Sequence, residues 1–376
     1  MMESKFVTLG TLIEKYRQKC GDTSAIVSGV DINKQFIPTR ANLNETDTSG
    51  YYLVPPSYFA CNLMHIGRDE RIPIAYNSSS HNYVVTSAYY VFCVRKNKRE
   101  AILDEYLYII FNTKEFDRLT WFYTDSSVRG NLKEDRFLDI EIPLPSLSEQ
   151  QKIVNAWKAL QEIKEQNEAI AAPFMQVCQS YIQDLKHKYE SVEIGPYIEE
   201  CNERNLDNLY TLDAVRGVSI EKKMIFTKAN MDGVSLSPYK IFKPKEFCYV
   251  PITSRNGNKI TLSMNYNEVV HIVSSSYIVF DIIDKEILLP SFLFLLLSRS
   301  EFDRYARFNS WGSAREAFSF EDMKRVRIPL PPLSVQQAIV NIYNCANEAK
   351  KIAAEADRMS REVCPALIQH ATNHNI

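Results

Sequence analysis

The chain has 376 residues, more than one typical domain needs and enough for two domains of about 140–190 residues, each with its own core. An apolar fraction of 45% with 24% charged residues excludes a disordered chain. Because 44 basic residues face 46 acidic ones, the net charge of −2 gives no general attraction for nucleic acid, and any DNA contact must come from local patches.

Neither a membrane nor a secreted location is indicated. The longest apolar run, residues 287–297, is 11 residues long, whereas a bilayer span needs ~20. The N-terminus, MMESKFVTLG, lacks the basic start and apolar core of a signal peptide. The eight cysteines are dispersed without a CxxC pair, so we expect no metal, no cofactor and no disulfide framework. We therefore expect a cytoplasmic protein.

The first half of the chain predicts a mixed α and β unit. Residues 83–94 are rich in β-branched and aromatic residues, which predicts strand. Residues 103–121 carry apolar side chains at helical spacing. The same two patterns return in the second half, at residues 269–283 and 290–308, where Pro290 suits a first helical turn.

An internal repeat governs the organisation of the chain. IPLPSLSEQQKIV at 142–154 returns as IPLPPLSVQQAIV at 328–340, with ten of thirteen positions identical at an offset of 186. The same offset aligns EFDR at 115–118 with EFDR at 301–304. Two similar units, each followed by a helix, are therefore predicted.

A long helix is predicted after each junction. Ser148 with Gln151, and Ser334 with Gln337, have the spacing of a capping box. Proline at 173 and 365 predicts a kink or a break in each helix. Asn167 is either a polar residue that sets helix register or a solvent-exposed residue. The residues expected to pack the helices together or to dock partners are Ile153, Trp157, Leu160, Ile170, Phe174, Ile339, Tyr343, Ala346 and Ala353.

The resulting fold prediction is α+β, with two tandem domains and two long helices that pack as an antiparallel coiled coil. We place the first domain at residues 1–145, the first helical region at 146–187, the second domain at 188–331 and the second helical region at 332–376.

The duplicated junction and the long helices resemble the specificity subunit of type I restriction-modification systems. The stretch HIGRDERIPIA at 65–75 is also similar to that family. The resemblance implies two target-recognition domains alternating with two conserved helical regions, in a subunit that is not itself an enzyme. Its expected partners are double-stranded DNA, two methyltransferase subunits and two restriction subunits. Each domain would read one half of a split DNA target, while the helices set the spacing and dock the methyltransferases.

Candidate DNA contacts are basic, amide and aromatic side chains near glycines, because Arg and Lys read guanine and Asn reads adenine in the major groove. In the first unit they are His65, Arg68, Arg71, Arg129, Asn131 and Lys133; in the second they are Arg255, Asn256, Asn258, Lys259, Trp311 and Arg315.

Each candidate also has a plainer interpretation. Arg68 and Arg71 could be solvated and paired with Asp69 and Glu70. Trp311 could lie at a core edge. The loop at 254–259 has no acidic neighbour in sequence and is the stronger candidate.

The sequence offers little support for other functional classes. No phosphate-binding loop, HExxH or GxGxxG motif occurs. Asp139 and Glu141 could hold a metal, but Arg325 and Arg327 replace them in the second copy, which favours an exposed strand face. A protein-interaction scaffold built on paired helices remains the alternative to DNA recognition.

Overall fold

The computed structural model describes residues 6–21, 26–39, 47–64, 69–125, 130–227, 229–254, 257, 259–313 and 315–373. The chain divides into two compact units. Unit 1 combines residues 1–167 with 351–376, and unit 2 comprises residues 168–350. Each of the two long helices thus begins in one unit and ends in the other.

Unit 1 contains ten strands among its described residues. They are β1 (Phe6–Thr8), β2 (Ile13–Lys15), β3 (Ile26–Val30), β4 (Phe36–Pro38), β5 (Tyr52–Val54), β6 (Phe59–Cys61), β7 (Ile74–Tyr76), β8 (Tyr83–Val85), β9 (Tyr90–Val94) and β10 (Glu141–Pro143). Its helices are α1 (Leu9–Leu12), α2 (Asp104–Phe111), α3 (Lys114–Phe122) and α4 (Glu134–Leu138), followed by the long α5 (Leu147–Lys188). A 3-10 helix covers Lys96–Lys98.

Unit 2 follows the same order. Its strands are β11 (Ser191–Glu193), β12 (Ile198–Cys201), β13 (Arg216–Val218), β14 (Met224–Phe226), β15 (Lys240–Phe242), β16 (Phe247–Tyr249), β17 (Leu262–Met264), β18 (His271–Val273), β19 (Ile278–Ile282) and β20 (Arg327–Pro329). Its helices are α6 (Pro290–Leu297), α7 (Ser300–Phe308), α8 (Phe320–Lys324) and the long α9 (Leu333–Asn373), with 3-10 turns at Gly195–Tyr197 and Leu212–Ala214.

The sheets of the two units correspond strand by strand. In unit 1, β2-β9-β6-β7 form one antiparallel sheet and β4-β3-β8-β5 another, in which β3 and β8 are parallel. In unit 2, β12-β19-β16-β17 form the matching antiparallel sheet, and a parallel bridge from Val215 to Ile272 links the pairs β13-β14 and β15-β18. The strand before each junction pairs with the unit's first strand, Ile142 with Val7 and Ile328 with Val192.

Two predicted elements in each unit are shorter than expected. Residues 83–94 form β8 and β9 in different sheets, separated by a turn in which the Tyr89 N–H donates to the Thr86 carbonyl at 3.0 Å. The helix predicted at 103–121 breaks before Lys114, because Thr113 caps α3 by accepting a hydrogen bond from the Phe116 N–H at 3.2 Å. The second copy breaks between α6 and α7, and Pro290 does occupy the first turn of α6 as predicted.

The long helices run through both prolines, so the expected break is wrong. Pro173 lies inside α5 and Pro365 inside α9. Within unit 1, Ile153 and Val154 near the start of α5 share a core with Cys364 and Ile368 near the end of α9. Within unit 2, Cys178 near the end of α5 shares a core with residues near the start of α9. The two helices are therefore antiparallel.

The helix seam differs from the prediction by one position in its second half. Ile153 is buried and Trp157 packs on the core, but beyond Asn167 the buried residues are Ala171, Cys178, Ile182 and Leu185. The larger Ile170, Phe174, Val177 and Tyr181 are exposed. Ile170 and Phe174 thus do not pack the helices together. Asn167 is half-buried and donates to the Ile163 carbonyl of its own helix at 2.8 Å.

In α9, three of the four residues expected to pack the helices together or to dock partners are buried. Ile339, Ala346 and Ala353 are buried and Tyr343 packs against the unit 2 core. Leu160 of α5 is half-buried, and nearby Lys164 forms an ion pair of 2.8 Å with Asp357 of α9, inside unit 1.

The predicted capping boxes are wrong, because both long helices begin before the serine that was expected to cap them. At each junction a neighbouring glutamine forms the buried hydrogen bonds instead. Helix α5 already begins at Leu147, and the Ser146 hydroxyl accepts the Glu149 N–H at 3.3 Å. Gln151 instead donates to Asn155 along the helix. Gln150 is fully buried: its Oε1 accepts the Leu103 N–H at 3.0 Å, and its Nε2 donates to the carbonyls of Ala101 and Pro145.

Gln336 repeats these contacts in unit 2. Its Oε1 accepts the Leu289 N–H at 2.9 Å, and its Nε2 donates to the carbonyls of Ile287 and Pro331, each at 2.8 Å. The glutamine thus joins the start of α6 to the start of α9.

Replacement of Gln336 tests this contribution to stability. Gln336→Leu fills the same space but leaves buried backbone groups without partners, so we expect the free energy of unfolding to fall by about 3 kcal/mol. Gln337→Leu is the matched control, because the Gln337 side chain is exposed and bonds only along the helix to Asn341. Denaturant unfolding of both variants measures the difference, and equal midpoints would contradict the assignment.

Candidate nucleic-acid interface

In unit 2, the candidates Trp311 and Arg315 belong to a tight turn that is hydrogen-bonded to residues 251 and 253. The backbones of Trp311 and Ala317 exchange two hydrogen bonds, of 3.0 and 2.9 Å. The Thr253 N–H donates to the Glu316 carbonyl at 2.9 Å, and the Phe318 N–H donates to the Pro251 carbonyl at 2.8 Å. The turn at 311–317 therefore lies beside the segment that leads into the loop at 254–259.

Glycine is required in this turn. Gly312 has a φ of +138°, and a Cβ there would lie 2.3 Å from the Arg315 carbonyl oxygen. Any other residue would force the turn open. Arg315 is exposed at its far side, and an ion pair between Arg307 and Glu316 connects the end of α7 to the same turn.

Unit 1 has a related backbone pairing at the equivalent positions, as far as its described residues 125 and 130–132 show. The Asp125 N–H donates to the Asn131 carbonyl at 2.9 Å, and the Leu132 N–H donates to the Leu63 carbonyl at 2.8 Å. Asp125 and Asn131 occupy the positions of Trp311 and Ala317 in the repeat. Gly130 has a φ of 56° and aligns with Glu316 rather than with Gly312, so the positive-φ glycine lies at a different position in this unit.

Lys133 does not cap the helix that follows it, whereas its counterpart Ser319 in unit 2 does. Lys133 is exposed and precedes α4 without capping it. Its equivalent Ser319 caps α8 with a complete capping box to Asp322. A serine cap contributes about 1 kcal/mol, and a cation near a helix N-terminus is unfavourable. Stability therefore does not explain a lysine at this position.

Lys259 has an acidic neighbour that its sequence surroundings did not indicate. It is exposed and forms an ion pair of 2.8 Å with Glu221, 38 residues away. The hydrogen bond to Glu221 raises the pKa of the Lys259 amine. Arg71, at the equivalent position of unit 1, is exposed as well.

Exposed aromatic side chains flank both turns. The interpretation of Trp311 as a core-edge residue is wrong, because it is 66% exposed. Phe122 at the end of α3 is 70% exposed and Phe308 at the end of α7 is 80% exposed, and the two are equivalent in the repeat. Sequence analysis missed them because an aromatic residue that ends an amphipathic helix is usually buried, although their alignment at an offset of 186 was a visible signal.

Several candidates cannot be placed. His65, Arg68, Arg129, Arg255, Asn256 and Asn258 lie outside the described residues. Asp139 and Glu141 are exposed. Across the described part of the chain, no group of three or more His, Cys, Asp or Glu side chains is arranged to hold a metal ion. No helix in the same part is both long and apolar enough to cross a membrane.

Comparison with known proteins agrees with this architecture. The family model described as the type I restriction modification DNA specificity domain matches twice, at residues 65–172 and 232–344, which together are more than half of the chain. The chain therefore belongs to the type I restriction-modification DNA specificity family.

One solved structure shows a related fold, and a second was matched at a lower TM-score. A crystal structure of the S subunit of a type I restriction-modification system from M. genitalium is 11% identical, with a TM-score of 0.63 over 97% of this chain and 95% of that chain. The HsdS subunit from Thermoanaerobacter tengcongensis is 14% identical, with a TM-score of 0.41 over 99% of this chain and 97% of that chain. No curated protein matches the sequence.

Proposed function

We propose that the chain is the DNA-reading subunit of a type I restriction-modification complex and that each unit reads one half of a split, asymmetric target. The observation that carries this proposal is that equivalent segments of the two units make related backbone contacts but carry different exposed side chains. Asp125 and Lys133 in unit 1 stand where unit 2 has Trp311 and Ser319. Two units with a similar backbone and different exposed side chains are suited to recognising two half-sites of different sequence.

The proposed interface of unit 1 contains Arg71, Asn131, Lys133 and Phe122, together with His65, Arg68 and Arg129. That of unit 2 contains Lys259, Trp311, Arg315 and Phe308, together with Arg255, Asn256 and Asn258. Basic residues would contact phosphate or guanine, amides would contact adenine, and the exposed aromatic rings would stack on bases or sugars. Lys133 is a candidate phosphate contact, since helix stability does not account for it.

The two long helices would set the spacing between half-sites and dock the methyltransferase subunits. Helix α5 has 42 residues, which corresponds to about 63 Å. Its exposed apolar residues Ile170, Phe174, Val177 and Tyr181 offer a surface for a partner. Methyl transfer and cleavage would belong to two methyltransferase and two restriction subunits. The domain limits of 1–145 and 188–331, with helical regions at 146–187 and 332–376, are part of the proposal.

Methylation mapping tests the function directly. We expect that cells producing this chain together with its cognate adenine methyltransferase will carry methylated adenines at one bipartite motif, and that cells lacking the chain will not. Sequencing that detects methylated adenine across a genome provides the measurement. Methylation that does not depend on the chain, or that follows no bipartite motif, would favour a scaffold that does not read DNA.

A further inference from the structure

Each unit contains a buried ion pair between a lysine and an aspartate. In unit 1, the Lys34 Nζ lies 2.6 Å from the Asp117 Oδ1; in unit 2, the Lys222 Nζ lies 2.7 Å from the Asp303 Oδ1. The side chains are 5% and 15% exposed in the first pair and 8% and 10% exposed in the second. Both pairs are thus nearly removed from solvent.

In each unit, the lysine of the ion pair also donates a hydrogen bond to the last residue of a helix. Lys34 donates a second hydrogen bond to the Phe111 carbonyl at the end of α2, and Lys222 donates one of 2.9 Å to the Leu297 carbonyl at the end of α6. Both lysines lie in tight turns with positive φ, 66° for Lys34 and 57° for Lys222. Such a conformation is unfavourable for a lysine, so its geometry is held by these contacts.

The aspartate reaches a third segment. The Ile72 N–H donates to the Asp117 Oδ1 at 3.3 Å, and the Ile260 N–H donates to the Asp303 Oδ1 at 3.1 Å. Ile72 directly follows Arg71, and Ile260 directly follows Lys259. Each ion pair therefore connects a β-turn, a helix end and the backbone next to an exposed cation of the candidate interface.

Stability alone does not explain these pairs. Burial lowers the pKa of both lysines, against the opposing effect of the aspartates. Buried ion pairs of this kind can often be replaced by apolar residues without loss of stability. Their benefit is geometric, because an ion pair with additional hydrogen bonds accepts one arrangement of its neighbours.

We propose that Lys34 with Asp117, and Lys222 with Asp303, are positioning residues that hold the DNA-reading backbone at Ile72 and Ile260, each for its own half-site. This inference rests on the proposed function. The aspartate oxygen supplies the fixed point and the lysine keeps the aspartate in place. Neither side chain needs to touch DNA.

Two double variants separate the charge from the backbone contact. Lys222→Met/Asp303→Asn removes both charges but keeps an amide oxygen that can accept the Ile260 N–H. Lys222→Met/Asp303→Leu removes that acceptor as well. Neither variant leaves a lone buried charge, which favours folding. Lys243→Met/Glu203→Leu is the control, because this ion pair in the same unit is about half exposed.

The measurement is genome-wide adenine methylation with the methyltransferase present, expressed as methylation at sites with one mismatch relative to cognate sites. For the Met/Leu variant we expect discrimination in one half-site to fall by about 10-fold or more, the order of a lost hydrogen bond to a charged group. The Met/Asn variant should lose less. The other half-site should keep its wild-type discrimination, and Lys34→Met/Asp117→Leu should reverse the pattern.

The outcomes are distinct. Unchanged discrimination in both halves, or an equal loss in both, would overturn the positioning role, as would a matching loss in the control. If the Met/Leu variant fails to assemble with the methyltransferase, the Met/Asn variant decides: a smaller loss confined to one half-site supports the positioning role, and unchanged discrimination overturns it. Failure of the proposed function itself would appear in the wild-type chain, as methylation without a bipartite motif.

Discussion

Exchange of residues 188–331 for the corresponding segment of another family member is expected to change one half of the methylated motif and leave the other half unchanged. The expected effect is large, because each mismatched base pair in a specific site costs about 1–3 kcal/mol and a half-site contains several. Methylation at the original sites should therefore fall to background while a new bipartite motif appears. Methylome sequencing of cells carrying the exchanged chain provides the measurement.

The physical basis of this expectation is the separate core of each unit. The main core of unit 1 contains Phe59, Phe92 and Phe111, whereas that of unit 2 contains Phe247, Phe280 and Phe318. The candidate residues Trp311 and Arg315 lie in a turn that is held by the backbone of unit 2 itself. The reciprocal exchange of residues 1–145 is the control and should change the other half only. A change in both halves after either exchange would exclude one domain for each half-site.

Much of the architecture could be predicted from the repeat. The duplicated junction predicted two similar units and two long helices, and the structure adds the strand pairs Val7 with Ile142 and Val192 with Ile328, which occur once in each unit. Long-range contacts escaped prediction. Glu221 pairs with Lys259 across 38 residues of sequence, and no local pattern indicates such a neighbour.

Helical periodicity also failed to predict which of two adjacent apolar faces of α5 is buried. On the second half of α5, Ile170 and Val177 and the smaller Ala171 and Cys178 follow the same spacing of seven, one position apart. Size suggested that the larger residues were buried, yet the smaller ones are buried in the structure. Small side chains let helices approach closely, and that preference depends on the partner helix, which a single helical pattern does not reveal.

The apolar residues left exposed by this shift form the apolar stripe of α5, defined as Ile170, Phe174, Val177 and Tyr181. Their spacing of four, three and four places them on one face of the helix. Only half of the stripe recurs in α9, because the repeat equivalents of Ile170 and Phe174 are the small, buried Ala356 and Ser360, whereas those of Val177 and Tyr181 are Val363 and the exposed Leu367. The duplication alone therefore does not account for four exposed apolar side chains.

We expect Phe174→Asp/Tyr181→Asp to abolish stable assembly with the methyltransferase. Aromatic residues at the centre of an interface commonly contribute about 2 kcal/mol or more each, so the affinity should fall by at least about 100-fold. Co-purification and a binding titration with the purified methyltransferase measure the loss.

The matched control is Gln176→Asp/Gln183→Asp. It introduces the same two charges at the same spacing of seven, at exposed positions on the opposite side of α5. Because Phe174 and Tyr181 are 41% and 48% exposed, an aspartate at either position reaches water, and we expect both variants to unfold close to the wild-type temperature, which thermal unfolding measures. Full assembly of the Phe174/Tyr181 variant would rule out the apolar stripe as the docking surface. Equal loss in the two variants would point instead to an effect of charge on the whole helix.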